Sequence, residues 1–302
     1  MKKSLSAILI LLASTASWTT EAAPAPRPKK SLPAAATVDP ASADSIDATF
    51  RYQTGRIALP GGIGELTVPA GFHYLDSTQS AYVLHELWHN PRRANLGMLF
   101  PTDAAPLAAK SWGYIVEFDP IGHVKDADAA SLDDRRLLAD MQRQTEGQNA
   151  ERVAAGYAPI HVAGWGAKPA YDSQYHALHW GKLLRFGTDP TQTLNYQVRV
   201  LGRQGVLVLN AIAEPRYLPE IKSSMPALLA GVQFARGEQY ADFQPEHDEL
   251  AAYSLGGLVA GKSLGGAGTV AVLGQFWKAG LLAVGAVWTA VKRLKGYADK
   301  AA

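Results

Sequence analysis

The chain has 302 residues, 47% hydrophobic and 19% charged, which is enough apolar side chain for a sizeable core and too little charge for a disordered body. Its 29 basic and 27 acidic side chains leave a formal charge of only +2, so no whole-molecule field gathers nucleic acid. The absence of cysteine excludes disulfides, a thiolate nucleophile, an iron–sulfur cluster, a cysteine zinc site and a lipidated N-terminal cysteine.

The chain opens with Met1-Lys2-Lys3, a positive start, followed by a short apolar run from Leu5 to Ala16 and then small residues up to Ala22 and Ala23. That layout predicts a secretory signal peptide over residues 1–23, because the apolar run falls short of the roughly 18 residues a membrane span needs. Residues 24–48 are rich in Pro and Ala and carry Arg27, Lys29 and Lys30, the composition of an extended linker.

From residue 49 to 262 the pattern predicts one folded domain. The stretch "RIALPGGIGELTVPAGFHYL", Arg56 to Leu75, alternates apolar and polar residues about Pro60-Gly61-Gly62 and turns again at Pro69-Ala70-Gly71. Asp76 or Ser77 then caps a helix running to His89, where Asn90-Pro91 ends it. "SWGYIVEFD" reads as a strand, and a longer helix runs from Ser131 or Asp133 to about Ala154, stopped by Gly156. Strands are expected at Pro159–Trp165, Ala177–Phe186, Leu194–Leu201 and Val206–Ala213, the last two joined by the tight turn Gly202-Arg203-Gln204-Gly205. A helix over Leu218–Leu229, a short strand at Val232–Phe234 and a helix over Glu246–Gly261 complete the body. Hairpins dominate and βαβ units are missing, so the fold class is α+β, a mainly antiparallel sheet with flanking helices.

Residues 264–291 are apolar and glycine-rich, interrupted by Gln275 and Lys278. A central lysine costs about 2.5–3.5 kcal/mol on the insertion scale, while nine Val, Leu and Phe between Thr269 and Val291 each return about 0.3–0.6 kcal/mol. The segment is therefore expected to be a single transmembrane anchor. The basic residues 292–302 form a cytoplasmic tail under the positive-inside rule, with the domain on the periplasmic side of the inner membrane. Ala279, Ala283, Ala286 and Ala290 share one helical face, a seam suited to a membrane partner.

Several motifs compete for a chemical role. His85-Glu86-Leu87-Trp88-His89 spells HExxH, which on a helix offers two imidazoles to zinc with Glu86 as general base. No third ligand follows in a recognisable pattern, and Asn90-Pro91 ends the helix at the second histidine. A zinc-dependent hydrolase through His85, Glu86 and His89 is thus the alternative reading. Gly256 to Ser263 satisfies GxxxxGK[ST] but follows a helical pattern rather than a strand, so no nucleotide is expected there. Asp126, Asp128, Asp133 and Asp134 lack the glycine and terminal glutamate of a calcium loop and read as helix caps. Trp165, Tyr171, Asp172, Arg199 and Arg203 combine flat aromatic faces with planar guanidinium donors, and they are the candidate binding residues for a peptide or glycan.

The set "GRIALPGG", "LWHNP", "LGMLFP", "GHVKDADA", "GWGAKPAYD", "LNYQVRVLGRQGVLVLN" and "FARGEQYADFQPEHDELAAY" resembles the DUF2167 family of bacterial membrane-anchored proteins of unknown function. The resemblance runs from about Arg56 to Gly261 and implies an envelope protein with a C-terminal membrane segment. It brings no activity, cofactor or catalytic residue. One departure is His89, where the family pattern has glycine. The expected function is a non-enzymatic binding or accessory domain that needs no cofactor and contacts a protein or envelope component.

Overall fold

The computed structural model describes residues 45–260, apart from 89, 91, 109, 110 and 155. The signal peptide, most of the linker, the anchor and the basic tail therefore lie outside the described residues. Among those residues no helix is long and apolar enough to cross a membrane.

The first hairpin forms as its alternation dictates. Strands β1 (Arg56–Leu59) and β2 (Gly64–Thr67) pair antiparallel with Arg56 opposite Thr67. Gly61 and Gly62 take φ of 77° and 73° in the connection, a backbone that side chains resist. The chain then leaves this sheet for a larger one. After the Pro69–Gly71 turn come β3 (Phe72–Asp76), helix α1 (Ser77–Ala81), β4 (Gly97–Pro101) and β5 (Gly113–Asp119). Helix α2 (Asp134–Ala154) precedes the long hairpin of β6 (Ile160–Asp172) and β7 (Ala177–Phe186). Next are β8 (Thr193–Leu201), β9 (Val206–Ala213), helix α3 (Leu218–Gly231), β10 (Val232–Phe234) and the short helix α4 (Leu255–Ala260).

All ladders are antiparallel. The large sheet has seven strands in the order β3-β4-β5-β9-β8-β7-β6, and the small one has the order β1-β2-β10. The fold class is thus α+β with antiparallel sheets, as the hairpin-rich pattern predicts.

The large sheet is covered on both faces, which explains why β9 is buried along its whole length. On one face Tyr114, Tyr196, Val198 and Leu209 pack against Leu66 of the small sheet and against Ile221, Met225 and Leu228 of α3. The other face carries two separate apolar clusters. Leu178, Trp180 and Val208 pack with Met141 of α2 and Leu258 of α4. Leu75, Met98, Ile115 and Ile212 pack with Val83, Leu87 and Trp88.

Three expectations change. Strand β4 has no counterpart in the pattern reading, because it is buried at all five positions and lacks alternation. The helix expected through His89 is regular only to Ala81; Asp76 caps it by accepting from Gln79 N at 2.9 Å. Beyond Ala81 the turn widens, with Trp88 N donating to Val83 O at 2.8 Å, five residues back. The helix expected from Glu246 begins only at Leu255. Residues 247–251 are instead drawn out by His123, whose N donates to Glu249 O and whose O accepts from Ala251 N, both at 2.8 Å. The Asp128 carboxylate then caps the helix from far away in sequence, accepting from Leu255 N at 3.1 Å and Gly256 N at 2.9 Å.

Candidate functional site

Between the two apolar clusters on that second face runs a strip of polar side chains. Strand pairing builds it row by row. In one row Ile115, Asn210, Gln197 and Trp180 lie opposite one another on β5, β9, β8 and β7. The next holds Ile212, Asn195, Lys182 and Trp165, and the one on the other side Glu117, Val208, Arg199 and Leu178. The first two rows begin in the cluster around Val83 and end in the cluster under α2, with polar groups in the middle. Asp119, two residues beyond Glu117 on β5, continues the acidic side of the strip.

These groups are deeply placed: Asn195, Gln197, Arg199 and Asn210 are 5%, 5%, 4% and 3% exposed. The three amides form a closed triangle. Asn195 Nδ2 donates to Asn210 Oδ1 at 2.7 Å, and Gln197 Nε2 donates to Asn195 Oδ1 at 2.8 Å and Asn210 Oδ1 at 2.6 Å. The triangle consumes the Gln197 amide hydrogens and leaves Gln197 Oε1 buried without a hydrogen-bond partner among the described residues. An orphaned acceptor of this kind costs about 1–3 kcal/mol, so such groups mark a missing partner.

The charged members are not at ease either. Burial pushes the Lys182 amine down to about 8, helped by the nearby Arg199 guanidinium. No carboxylate pairs with Lys182 among the described residues. Arg199 lies over the Trp180 ring at 5.7 Å, and burial lowers its pKa although Asp119 and Glu117 pull the other way. Burial raises the carboxyl pKa of Glu117 and Asp119, against the attraction of Arg93 and Arg199. Arg93 approaches Glu117 at 3.9 Å from the loop before β4. Desolvated charges in one sheet face are poor stability devices, and clusters of perturbed groups concentrate at functional sites.

The five residues singled out from the sequence fall into three places. Arg199 belongs to the strip, and Trp165 ends one of its rows, with Nε1 donating to Asp134 O at 3.1 Å under α2. Tyr171 donates to Asp126 Oδ2 at 2.7 Å and meets His176 Nδ1 at 3.1 Å, and burial followed by Asp126 raises its pKa. Asp172 closes the β6–β7 turn by accepting from Gln174 N at 2.9 Å. Arg203 forms a two-pronged pair with Asp248 at 2.7 and 2.9 Å and also donates to Gly237 O, fastening residues 237–248 to the β8–β9 turn. The sequence reading did not single out Lys182, Gln197, Asn195, Asn210 or Asp119. The available signal was the order Asn-Tyr-Gln-Val-Arg along β8, which by alternation alone looks like an ordinary solvent face.

In the HExxH segment, His85 Nδ1 meets Asn90 O at 3.1 Å and Nε2 accepts from Arg93 N at 3.4 Å, so both ring nitrogens serve the backbone. Glu86 pairs with exposed Arg92 at 2.8 Å. His89 lies outside the described residues. Among the described residues no group of three or more His, Asp or Glu side chains is placed to hold a metal ion. The acidic turn is likewise occupied by local structure: Asp133 accepts from Arg135 N and Arg136 N, and Asp134 pairs with Lys168.

The model of the family described as "Protein of unknown function (DUF2167)" matches residues 51–289. The chain belongs to the DUF2167 family. The match takes in every described strand and all of the strip, so the strip is part of the DUF2167 region rather than an appendage. No curated protein matches this DUF2167 chain. Among solved structures, the solution structure of cyanobacterial PsbP (CyanoP) from Synechocystis is similar at 8% identity and a TM-score of 0.34. It covers 61% of this chain and 92% of its own, and at that score the likeness carries no argument about function.

Proposed function

We propose that this DUF2167 protein is a non-enzymatic binding or accessory domain of the cell envelope that engages its partner over the polar strip. The observation that carries the reading is that, among the described residues, Lys182 has no carboxylate partner and Gln197 Oε1, one row away, is a buried acceptor without a donor. A ligand group that answers both carries an anionic oxygen for Lys182 and an O–H or N–H donor for Gln197. Carboxylates that also bear a hydroxyl or amide belong to this class. Trp165, half-buried at the end of one row, supplies flat apolar surface beside the strip.

The charged, apolar and small-residue layout of residues 1–23 supports export, and residues 264–291 support a single C-terminal anchor in the inner membrane with the domain on the periplasmic side. An integral membrane partner would meet the seam of Ala279, Ala283, Ala286 and Ala290.

Acetylation mapping tests the site. Lys182 should be labelled by an amine-directed acylating reagent in the purified full chain and protected in native membranes, with exposed lysines such as Lys222 as internal references. Equal labelling of Lys182 in both samples would show that no partner covers the strip. Carbonate extraction with protease on spheroplasts tests the topology: the domain should be digested while a C-terminal tag stays protected in the pellet. A fully extractable protein contradicts the anchor.

A further inference from the structure

Residues 237–251, between β10 and α4, form a strap, and four interleaved rings hold it to the body. The strap supplies Phe243 and Tyr240. The body supplies His123, from the loop after β5, and His176, from the β6–β7 turn. The stack runs Phe243, His123, Tyr240, His176, with centroids 3.9, 4.5 and 4.2 Å apart. His176 sits at a φ of 45°, a backbone uncommon outside glycine. Its Nδ1 meets the Tyr171 hydroxyl at 3.1 Å, and that hydroxyl donates to Asp126. A cavity of about 380 Å³, lined by His176, Tyr240, Gln239 and Leu201 among others, adjoins this end of the stack.

His123 is the buried ring of this stack. It is 6% exposed, and its Nδ1 has no hydrogen-bond partner among the described residues. Lys125 and Asp126 face it from its own loop, the Arg203 backbone from the β8–β9 turn, and Asp248 from the strap. Asp242 is engaged with Gly237 N and Gln239 N, while Glu246, His247 and Glu249 are exposed. Ring faces and carboxylates attract an imidazolium, yet burial outweighs them and holds the His123 pKa below its ordinary value. With the strap closed, a proton on Nδ1 makes a buried N–H with no acceptor; with the strap lifted, water satisfies it. Protons therefore favour the lifted form. Asp248 is held below the usual carboxylate range by Arg203, so that ion pair persists while His123 titrates.

We propose that residues 237–251 are an acid-released strap, unlocked by protonation of His123 within the ring stack. Lifting Tyr240 out of the stack opens the cavity it shares with His176 and Leu201, so acid controls access to that cavity. The device is separate from the polar strip, and the two stand or fall independently.

Amide exchange of the full chain between pH 7.5 and 5, corrected for the intrinsic rate at each pH, tests this. The probes are Gln244 N, bonded to Asp248, and Ala251 N, bonded to His123 O. Their opening should rise as pH falls, approaching tenfold for each unit below about 6.5, while the amides of β9 stay protected. His123→Phe, which keeps a ring in the stack, and His123→Gln should each abolish the rise. His176→Asn, which tolerates the same backbone, should keep it. Opening that does not change with pH, or β9 amides that open in step with the strap, would overturn the proposal. So would a rise that survives both His123 variants or disappears in His176→Asn.

Discussion

Lys182 illustrates how a single residue can argue for function against stability. Its ammonium is partly buried on a sheet face, next to Arg199 and opposite Asn195, and its pKa falls from 10.5 to about 8. A shift of that size corresponds to a penalty on the order of 3 kcal/mol for the charged form. The folded amine loses its proton more easily than the unfolded one, so the unfolded chain binds more protons between pH 8 and 10.5 and stability rises with pH across that window. Lys182→Met removes the penalty: its midpoint at pH 7 should rise by several degrees, and the gain in wild-type stability between pH 8 and 10.5 should vanish. Thermal unfolding across that range reads both effects, and a destabilised, still pH-dependent variant would show that Lys182 holds the fold together. Gln197 belongs to the same argument in neutral form. Gln197→Leu removes two of the three hydrogen bonds of the amide triangle and leaves Asn195 Oδ1 without its donor, so it should lower stability by about 1–3 kcal/mol. Gln197 did not stand out in the sequence, because alternation along β8 is symmetric: it gives the two faces of the strand but not which of them meets water.

At the scale of elements, the strap over residues 237–251 depends on one ion pair. Arg203 grips Asp248 with two donors and Gly237 O with a third, and Asp248 also accepts from Gln244 N at 2.7 Å. Behind the strap, His123 is sandwiched between Phe243 and Tyr240 with centroids 3.9 and 4.5 Å away. Arg203→Met should free the strap while leaving the seven-stranded sheet intact, seen as faster amide exchange at Gly237 and Gln244 and new protease cuts within 237–250. Unchanged exchange there would show that the aromatic sandwich alone secures it. The turn Gly202–Gly205 and both flanking strands were legible from the sequence, since glycines bracket an alternating pair. The partner of Arg203 was not, because Asp248 lies 45 residues further along the chain. For the same reason the helix expected from Glu246 shrank to Leu255–Ala260: His123 and Asp128 set its course from over 120 residues away. Local pattern recovered strands β5, β7 and β9 with little error, and it missed β4, whose two buried faces leave no period to read.

For the whole molecule, acid is the condition that should expose the buried histidines. His73, His123 and His179 all have pKa values lowered mainly by burial. The unfolded chain takes up protons near 6.5 before the folded one does, so their contribution to stability is complete above pH 6.5 and is lost as pH falls toward their folded values. Glu117 and Asp119 act in the opposite sense, since their raised values favour the folded state at lower pH. His123→Gln should therefore lose less stability than the wild type as pH falls below 6.5. An identical pH dependence of the midpoint in this variant and the wild type would contradict the burial of His123. The α+β class was legible in the spacing of hairpins across the chain. The two-faced coverage of the large sheet, and hence the burial of the strip, was not, because it depends on which helix packs against which face.

If the strip of Lys182, Gln197 and Arg199 is kept for a ligand, native mass spectrometry of the gently purified full chain should detect that ligand. The wild-type protein should carry a bound species, released by mild activation, that is absent from a folded Lys182→Met/Gln197→Leu variant. A wild-type spectrum showing only the bare chain, or a bound species retained by the variant, would contradict it.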